Sequence, residues 1–333
     1  MTNNKTMAIS GQTVADIGEK GLLKLIFPFC HPDMVGDDAA LVPLSPDLDL
    51  VVTTDILVDG VHFSDRTTSP FDVGWRAATA NLSDLAAMGA KPLGITVGLS
   101  LPKNLPVEWV EHLYQGLTAC LERYNTPIVG GDICRSGVIT VSITAFGQVK
   151  PQQVIRRNLA KAEDRIVITG FHGLSKAGLE LLLNSRGGDF PALIRAHQRP
   201  NPRLDLLPLL WEIMGETNLA GMDSSDGLAD AVIQICGSSG VGAQIDRRLL
   251  PLAPDLTKMV APETALEWAL FGGEDFELVL CLPLPQADLL VKNLGAGAAI
   301  VGKITPNRSV ELVDSQGIYE SRLLSLEAGF QHF

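Results

Sequence analysis

The chain has 333 residues, which at roughly 150 residues per domain predicts two domains. It is 46% hydrophobic and 19% charged, the profile of a globular rather than a disordered protein. With 26 basic against 38 acidic residues the net charge is −12, which argues against sequence-independent nucleic-acid binding, where many Lys and Arg must replace condensed counterions. The five cysteines (Cys30, Cys120, Cys134, Cys236, Cys281) are scattered and lack C-x-x-C spacing, so they read as reduced thiols. MTNNKTMAIS lacks the charged-then-apolar design of a signal peptide, and no apolar run approaches the 18 or so residues that span a bilayer. The expectation is a soluble cytoplasmic protein with no membrane and no nucleic-acid partner.

Strand-like and helix-like patterns alternate along the chain. Leu48–Thr54 is a β-branched strand that stops at Asp55. Phe71–Ala90 is a helix, with Trp75, Ala78, Leu82, Leu85 and Ala86 at three- and four-residue steps and Gly89 as its stop. Leu93–Leu101 reads as a strand, Val107–Tyr124 as a helix, and Ile128–Val129 as a short strand running into Gly130-Gly131-Asp132. Val138–Val149 alternates as a strand with one wet face does.

Lys150-Pro151-Gln152-Gln153 reads as a boundary, giving domains over 1–150 and 151–333. Beyond it come strand Arg165–Thr169 and helices Leu174–Asn184, Leu204–Glu216 and Gly227–Ser238, with Arg199–Arg203 a loop. Strand Ala243–Ile245, helix Glu263–Phe271, strand Phe276–Cys281, a helix from Gln286 and strand Ala299–Ile304 complete the pattern. Strands and helices intermixed over both halves predict two α/β or α+β domains.

The usual catalytic motifs are missing. There is no G-x-x-x-x-G-K-[ST], no G-x-G-x-x-G, no H-E-x-x-H, no G-x-S-x-G and no protein-kinase signature. The chain carries instead a series of aspartates beside glycines or hydroxyls. They are Gly36-Asp37-Asp38, Thr53-Thr54-Asp55, Asn81-Leu82-Ser83-Asp84, Gly130-Gly131-Asp132, Asp223-Ser224-Ser225-Asp226-Gly227 and Gly272-Gly273-Glu274-Asp275. Read alone, each is also the ordinary chemistry of a turn or a helix N-cap. Asp84 stands apart, because it falls mid-helix within the apolar stretch Leu82–Met88 and calls for a partner. Carboxylates are ligands for hard cations such as Mg²⁺, and adjacent glycines let backbone approach a phosphate. Two like charges about 4 Å apart repel by roughly 4 kcal/mol at an effective dielectric near 20, so several such clusters could meet a polyphosphate only through cations. The residues by themselves point to multi-Mg²⁺ phosphate chemistry.

In order, Val35-Gly36-Asp37-Asp38-Ala39-Ala40, Thr53-Thr54-Asp55 with Val58 and His62-Phe63, and Asn81–Ala90 (NLSDLAAMGA) resemble the thiamine-monophosphate kinase family. Gly130-Gly131-Asp132, Ser225-Asp226-Gly227-Leu228 and Gly272–Leu278 (GGEDFEL) extend the resemblance over about residues 16–333. It implies a two-domain fold like that of aminoimidazole ribonucleotide synthetase, with an N-terminal domain contributing strands to a barrel in a homodimer and a C-terminal α+β domain. It further implies ATP-dependent phosphorylation of thiamine monophosphate to thiamine diphosphate by direct in-line transfer with several Mg²⁺ ions.

Carried over by position, the Mg²⁺ ligands would be Asp38, Thr53, Thr54, Asp55, Asp84, Asp132, Asp223 and Asp226. Gly131, Asp132, Ser225 and Arg157 would meet ATP, and Tyr114 falls where some members contact the nucleotide. His62, Glu274 and Phe330 match positions that touch thiamine phosphate. Two departures matter: Leu159 and Glu163 stand where glycines are usual, leaving Arg156 as an alternative to Arg157, and Ser224 replaces a usual apolar residue. A selenophosphate synthetase would need a reactive N-terminal Cys, and a hydrogenase-maturation protein a C-terminal one; MTNNKTMAISGQ and QHF supply neither. A non-catalytic Mg²⁺-nucleotide or thiamine-phosphate binding module would carry the same residues, and turnover separates it from a kinase.

Overall fold

The computed structural model describes residues 11–32, 42–186 and 190–326. They form two compact units. The first comprises the described residues up to Pro46 with Leu50–Leu82 and Pro92–Gln148; the second comprises Asp47–Asp49, Ser83–Lys91 and the described residues from Val149 onward.

The first unit opens with α1 (Val14–Ile26), bent at Gly18, whose φ is 61°. The sequence pattern did not predict this helix, because Gly18 and Gly21 interrupt its apolar spacing. Its start is a reciprocal cap: the Asp16 carboxylate accepts from both the backbone N–H and the hydroxyl of Thr13, each at 2.8 Å. Then follow β1 (Asp49–Val58), α2 (Pro70–Ala87), β2 (Lys91–Leu101), α3 (Val107–Leu121), β3 (Ile128–Arg135) and β4 (Thr140–Val149). The four strands make one sheet in the order β1-β4-β2-β3, with β2 and β3 parallel.

Two strands outrun their predicted ends. β1 continues past Asp55 to Val58, so the acidic residue lies within the strand. β3 continues through Gly130-Gly131-Asp132 to Arg135. Glycine makes that continuation possible, since a Cβ on Gly131 would lie 2.1 Å from the Val97 carbonyl oxygen of the neighbouring strand.

Helix α2 is buried nearly all round, which explains its dense apolar pattern. Several of its buried polar residues have specific partners. Asp72 exchanges bonds with Ser69 at 2.6 and 3.3 Å, and Arg76 Nη2 donates to the His62 carbonyl at 3.1 Å. The helix ends where Gly89 was expected to stop it: Gly89 N–H reaches the Ala86 carbonyl and Ala90 N–H the Leu85 carbonyl, with Gly89 at φ 73°. That is a Schellman stop, which needs a left-handed residue. Against α3 the packing is backbone to backbone. A Cβ on Gly74 would lie 2.0 Å from the Leu113 oxygen, and one on Gly116 would lie 1.8 Å from the Phe71 oxygen.

The second unit is built on β5 (Ile155–Arg156), β6 (Arg165–Ile168), α4 (Leu174–Leu183), α5 (Pro191–Gln198), α6 (Leu207–Met214), β7 (Leu219–Asp223), α7 (Leu228–Ser239) and β8 (Gly242–Asp246). It continues with α8 (Pro254–Met259), α9 (Pro262–Phe271), β9 (Leu278–Leu282), α10 (Leu284–Leu294), β10 (Ala299–Thr305), β11 (Val310–Val313) and β12 (Arg322–Leu323). The strands form one mixed sheet in the order β12-β11-β8-β10-β6-β9-β7-β5. Every residue of β7 and β9 is buried, which accounts for the unbroken apolar run of β9 and for that of β7 up to Asp223. Helices α7 and α9 pack on the sheet through Leu228, Val232, Ile235, Leu266 and Leu270. β9 begins at Leu278 rather than Phe276, whose φ of 54° takes it out of the strand.

Gly116→Ala is expected to lower stability by about 1–3 kcal/mol, the usual effect of overpacking a tight contact. Its thermal midpoint should fall clearly below that of the parent. An unchanged midpoint would contradict the close approach of α2 and α3.

Candidate active site

In the first unit the described residues expected to meet Mg²⁺ and phosphate lie on the two edge strands. Strand alternation puts Thr53 and Asp55 on one face of β1 and Thr54 on the other. Thr54 Oγ1 is bonded to Thr144 Oγ1 at 2.9 Å. The backbone of Asp55 is held by α2: Asn81 accepts the Asp55 N–H at 3.2 Å while its own amide donates to the Ala77 carbonyl at 3.0 Å. Gly131 and Asp132 lie exposed on β3, at the opposite sheet edge. The two edges are three strand spacings apart, roughly 14 Å along the sheet. His62 follows β1, and its Nδ1 accepts the Val58 N–H at 3.1 Å, which places the neutral ring's proton on Nε2. Tyr114 is a core residue of α3, 2% exposed, with its ring 5.7 Å from that of Phe29. Burial, reinforced by the nearby Cys30 thiol, pushes its hydroxyl far above the ordinary tyrosine range.

In the second unit two turns are laced together. The first, Asp223–Gly227, joins β7 to α7; the second, Gly272–Glu277, joins α9 to β9. Ser224 N–H donates to the Glu277 carbonyl at 2.9 Å, and Glu274 N–H donates to the Ser225 carbonyl at 2.7 Å. A Cβ on Gly273 would sit 2.6 Å from the Ser225 oxygen, so this lacing needs glycine there. Glu274 itself has a φ of 67°, an unusual conformation for a side-chain-bearing residue, and is held by its neighbours.

Beneath these turns lies a layer of buried polar groups. Asp223 is 3% exposed, and its Oδ2 accepts from Ser83 Oγ at 2.7 Å, while Ser225 Oγ lies 3.5 Å from Oδ1. Asp275 is buried at the start of α4, where its two oxygens accept the N–H groups of Gly173 at 2.6 Å and Ser175 at 2.8 Å. Burial pushes its carboxyl up to about 7 against the pull of those donors. Glu277 accepts the Thr169 hydroxyl at 2.6 Å and is paired with Arg203, whose Nη1 also donates to the Thr169 carbonyl at 2.7 Å. His172 is fully buried, with Nε2 3.0 Å from Ser224 Oγ and Nδ1 3.2 Å from the Gly170 carbonyl. Thus Ser224 has a specific partner. His197 Nδ1 lies 3.1 Å from Ser175 Oγ and 3.8 Å from Glu274 Oε2.

Asp226 is exposed beside the buried Asp223, and Asp84 is half-buried on α2 one residue after Ser83. Arg157 is exposed in a 3-10 turn, its guanidinium donating to Gln234 at 2.5 Å; Arg156 is exposed in β5. Asp38 and Phe330 lie outside the described residues. Among the described residues no three of His, Cys, Asp or Glu are gathered as a ready-made cation cage. The structure joins Asp223, Ser225 and Glu274 in one pair of turns and sets Thr53 and Asp55 on one strand face. Sequence reasoning missed His172, His197, Arg203 and Gln234, because their partners are 52, 22, 74 and 77 positions away.

Two family models match this chain: the AIR synthase related protein N-terminal domain over residues 36–149 and the C-terminal domain over residues 161–315. A thiamine-monophosphate kinase from Synechococcus elongatus is 46% identical, the match covering 98% of this chain and 99% of the relative. Among solved structures, thiamine-monophosphate kinase from Stenotrophomonas maltophilia matches with a TM-score of 0.76 at 32% identity, over 91% of this chain and 96% of that one. AaThiL complexed with AMPPCP and TMP matches with a TM-score of 0.73 at 31% identity, over 95% and 99%. Two-domain AIR synthase-like architecture with paired acidic turns is therefore the class to which the fold and site conform. The chain belongs to the AIR synthase-related family and, within it, to the thiamine-monophosphate kinases.

Burial pushes His172 down to about 4, with the Gly170 carbonyl pulling weakly the other way. The unfolded chain binds this proton near pH 6.5, so His172 supports the fold fully above 6.5 and loses that contribution as pH falls toward 4. His172→Gln should flatten the fall in urea-unfolding stability between pH 6.5 and 4. Parallel slopes for the two proteins would show that His172 does not resist protonation.

Proposed function

We infer that this chain transfers the γ-phosphoryl group of ATP to thiamine monophosphate, forming thiamine diphosphate. Near-full-length identity to thiamine-monophosphate kinases carries this reading, supported by the structural likeness to AaThiL complexed with AMPPCP and TMP. The acceptor is a phosphate already ionised at neutral pH, so no strong general base is required. What the reaction needs is two anions brought into line and their charge neutralised.

The donor set Asp38, Thr53, Thr54, Asp55, Asp84, Asp132, Asp223 and Asp226 is oxygen-only, which fits Mg²⁺. When bound, Mg²⁺ would offset phosphate charge and polarise the transferred group. Thr54 faces away from Thr53 and Asp55, so toward an ion on their face it would contribute its carbonyl oxygen. The spacing of the sheet edges bearing Asp55 and Asp132 favours several ions over one.

On the nucleotide side, glycine at 131 opens backbone to phosphate beside Asp132, Ser225 offers a hydroxyl, and Arg157 can grip a phosphate with two hydrogen bonds. Tyr114, enclosed in the core, would act there by packing rather than by its hydroxyl. On the acceptor side His62 presents Nε2–H, Glu274 a carboxylate, and Phe330 an aromatic face for the thiazolium, a contact contributing about 1–2 kcal/mol. Residues 1–150 would bear most of the Mg²⁺-ATP site, and 151–333 would complete it.

The chain works as a homodimer in this reading. Leu50, Val52 and Ile56 lie on one face of edge strand β1 and are 49%, 53% and 52% exposed, an apolar stripe that the strands of a second copy would cover. Among the described residues no helix is long and apolar enough to cross a membrane, and the described cysteines are free. Both suit the cytoplasm as its place of work.

Turnover is the direct test: ADP should form with thiamine diphosphate in equal amounts from ATP, Mg²⁺ and thiamine monophosphate, and not with free thiamine. Saturable binding of both ligands without ADP would identify a binding module instead. Asp84→Asn should remove nearly all turnover and leave the fold intact, as circular dichroism would report; unchanged turnover at saturating Mg²⁺ would refute its role. Glu274→Gln should raise KM for thiamine monophosphate more than KM for ATP, and an equal rise in both would contradict the assignment.

A further inference from the structure

Arg157 is held by α7 at two points. Ser239 Oγ donates to the Arg157 carbonyl at 2.8 Å and accepts the Ala160 N–H at 3.0 Å, which fixes the backbone of the turn. The guanidinium is held separately: Nη1 donates to Gln234 Oε1 at 2.5 Å, and Gln234 Nε2 donates to Asp230 Oδ2 at 2.5 Å. Only one orientation of the Gln234 amide makes both contacts hydrogen bonds, because Arg can only donate and the carboxylate can only accept. Asp230 and Gln234 are four residues apart on one face of α7. Asp230 also lies in the first turn of that helix, where the helix dipole favours a carboxylate. Helix α7 starts immediately after Ser225-Asp226-Gly227. One rigid element therefore carries the acidic turn at its start and restrains the arginine along its side.

The interposed amide has a chemical consequence. A carboxylate placed directly against Arg157 would occupy two donors and neutralise the charge that a phosphate needs. The neutral amide takes one donor nitrogen. Among the described residues Arg157 makes no other side-chain hydrogen bond, so Nε and Nη2 stay available for bidentate binding. We propose that Gln234, oriented by Asp230, is a positioning residue that holds the Arg157 guanidinium in a fixed direction while leaving its charge unspent for a polyphosphate. The inference rests on the reading of Arg157 as an ATP contact. Restraint before binding removes part of the ordering loss when the nucleotide arrives, so the effect falls on ATP affinity.

The test is steady-state kinetics at saturating Mg²⁺ and thiamine monophosphate on the full chain, with thermal midpoints recorded for each variant. Gln234→Ala should raise KM for ATP about 3- to 10-fold, the effect of losing one hydrogen bond of typical net strength, with kcat changed less than about 2-fold. Gln234→Glu should raise KM for ATP more than Gln234→Ala does, which a merely structural role for the amide does not predict. In an Arg157→Ala background, Gln234→Ala should add nothing further. A raised KM for ATP in Arg157→Ala with an unchanged KM in Gln234→Ala would overturn the positioning role alone. An unaffected KM for ATP in Arg157→Ala would overturn the ATP contact and this inference with it. Equal effects of Gln234→Ala in both backgrounds would show that Gln234 acts through another group.

Discussion

An oxygen anion removed from water must be given donors or a cation, and this requirement organises the second unit. Asp223, Asp275 and Glu277 are all buried or nearly so, and each receives a different answer. Asp223 takes the hydroxyl of Ser83, Asp275 takes the N–H groups at the head of α4, and Glu277 takes Arg203 and Thr169. These answers come from elements far apart in sequence, so satisfying them fixes the turns at Asp223–Gly227 and Gly272–Glu277 as a pair. The cross-bonds from Ser224 to Glu277 and from Glu274 to Ser225 complete that pairing.

A fixed pair of turns suits phosphoryl transfer. In such a reaction the protein contributes mainly position and charge, and a group already aimed when the ligand arrives needs no reorganisation later. Of the residues proposed to meet ligands, Asp226, Asp132 and Arg157 are exposed, whereas Asp223 is buried among the groups that hold the turns. The strained backbone at Glu274 and Phe276 fits the same division: packing beneath the loop sustains a conformation that the loop alone would not keep. Glycine has a complementary role at Gly131 and Gly273, where a side chain would drive neighbouring backbone apart.

The buried polar layer also shows how a polar side chain is accommodated at Ser224. Buried without a partner, the Ser224 hydroxyl would be costly. Here His172 and the Glu277 carbonyl meet it. A buried neutral histidine is tolerated because its low proton affinity keeps a charge out of the core.

Most long elements were legible from periodicity, since burial of one face or of a whole strand imposes a repeat of 3.6 or 2. Helix α2 with its Gly89 stop and the apolar strands β2, β4 and β9 are examples. The acidic turns and their order were legible too, because carboxylate beside glycine is local chemistry, and that order by itself identified the family. Misread were the features that depend on a neighbour. β1 and β3 extend through residues with weak strand character because an adjacent strand pairs with them, and α1 forms despite a glycine bend. The supporting residues His172, His197, Arg203 and Gln234 carried no signal of their own. Each takes its meaning from a hydrogen bond to a residue many positions away, and a pairing of that kind is decided only when the tertiary fold closes the distance.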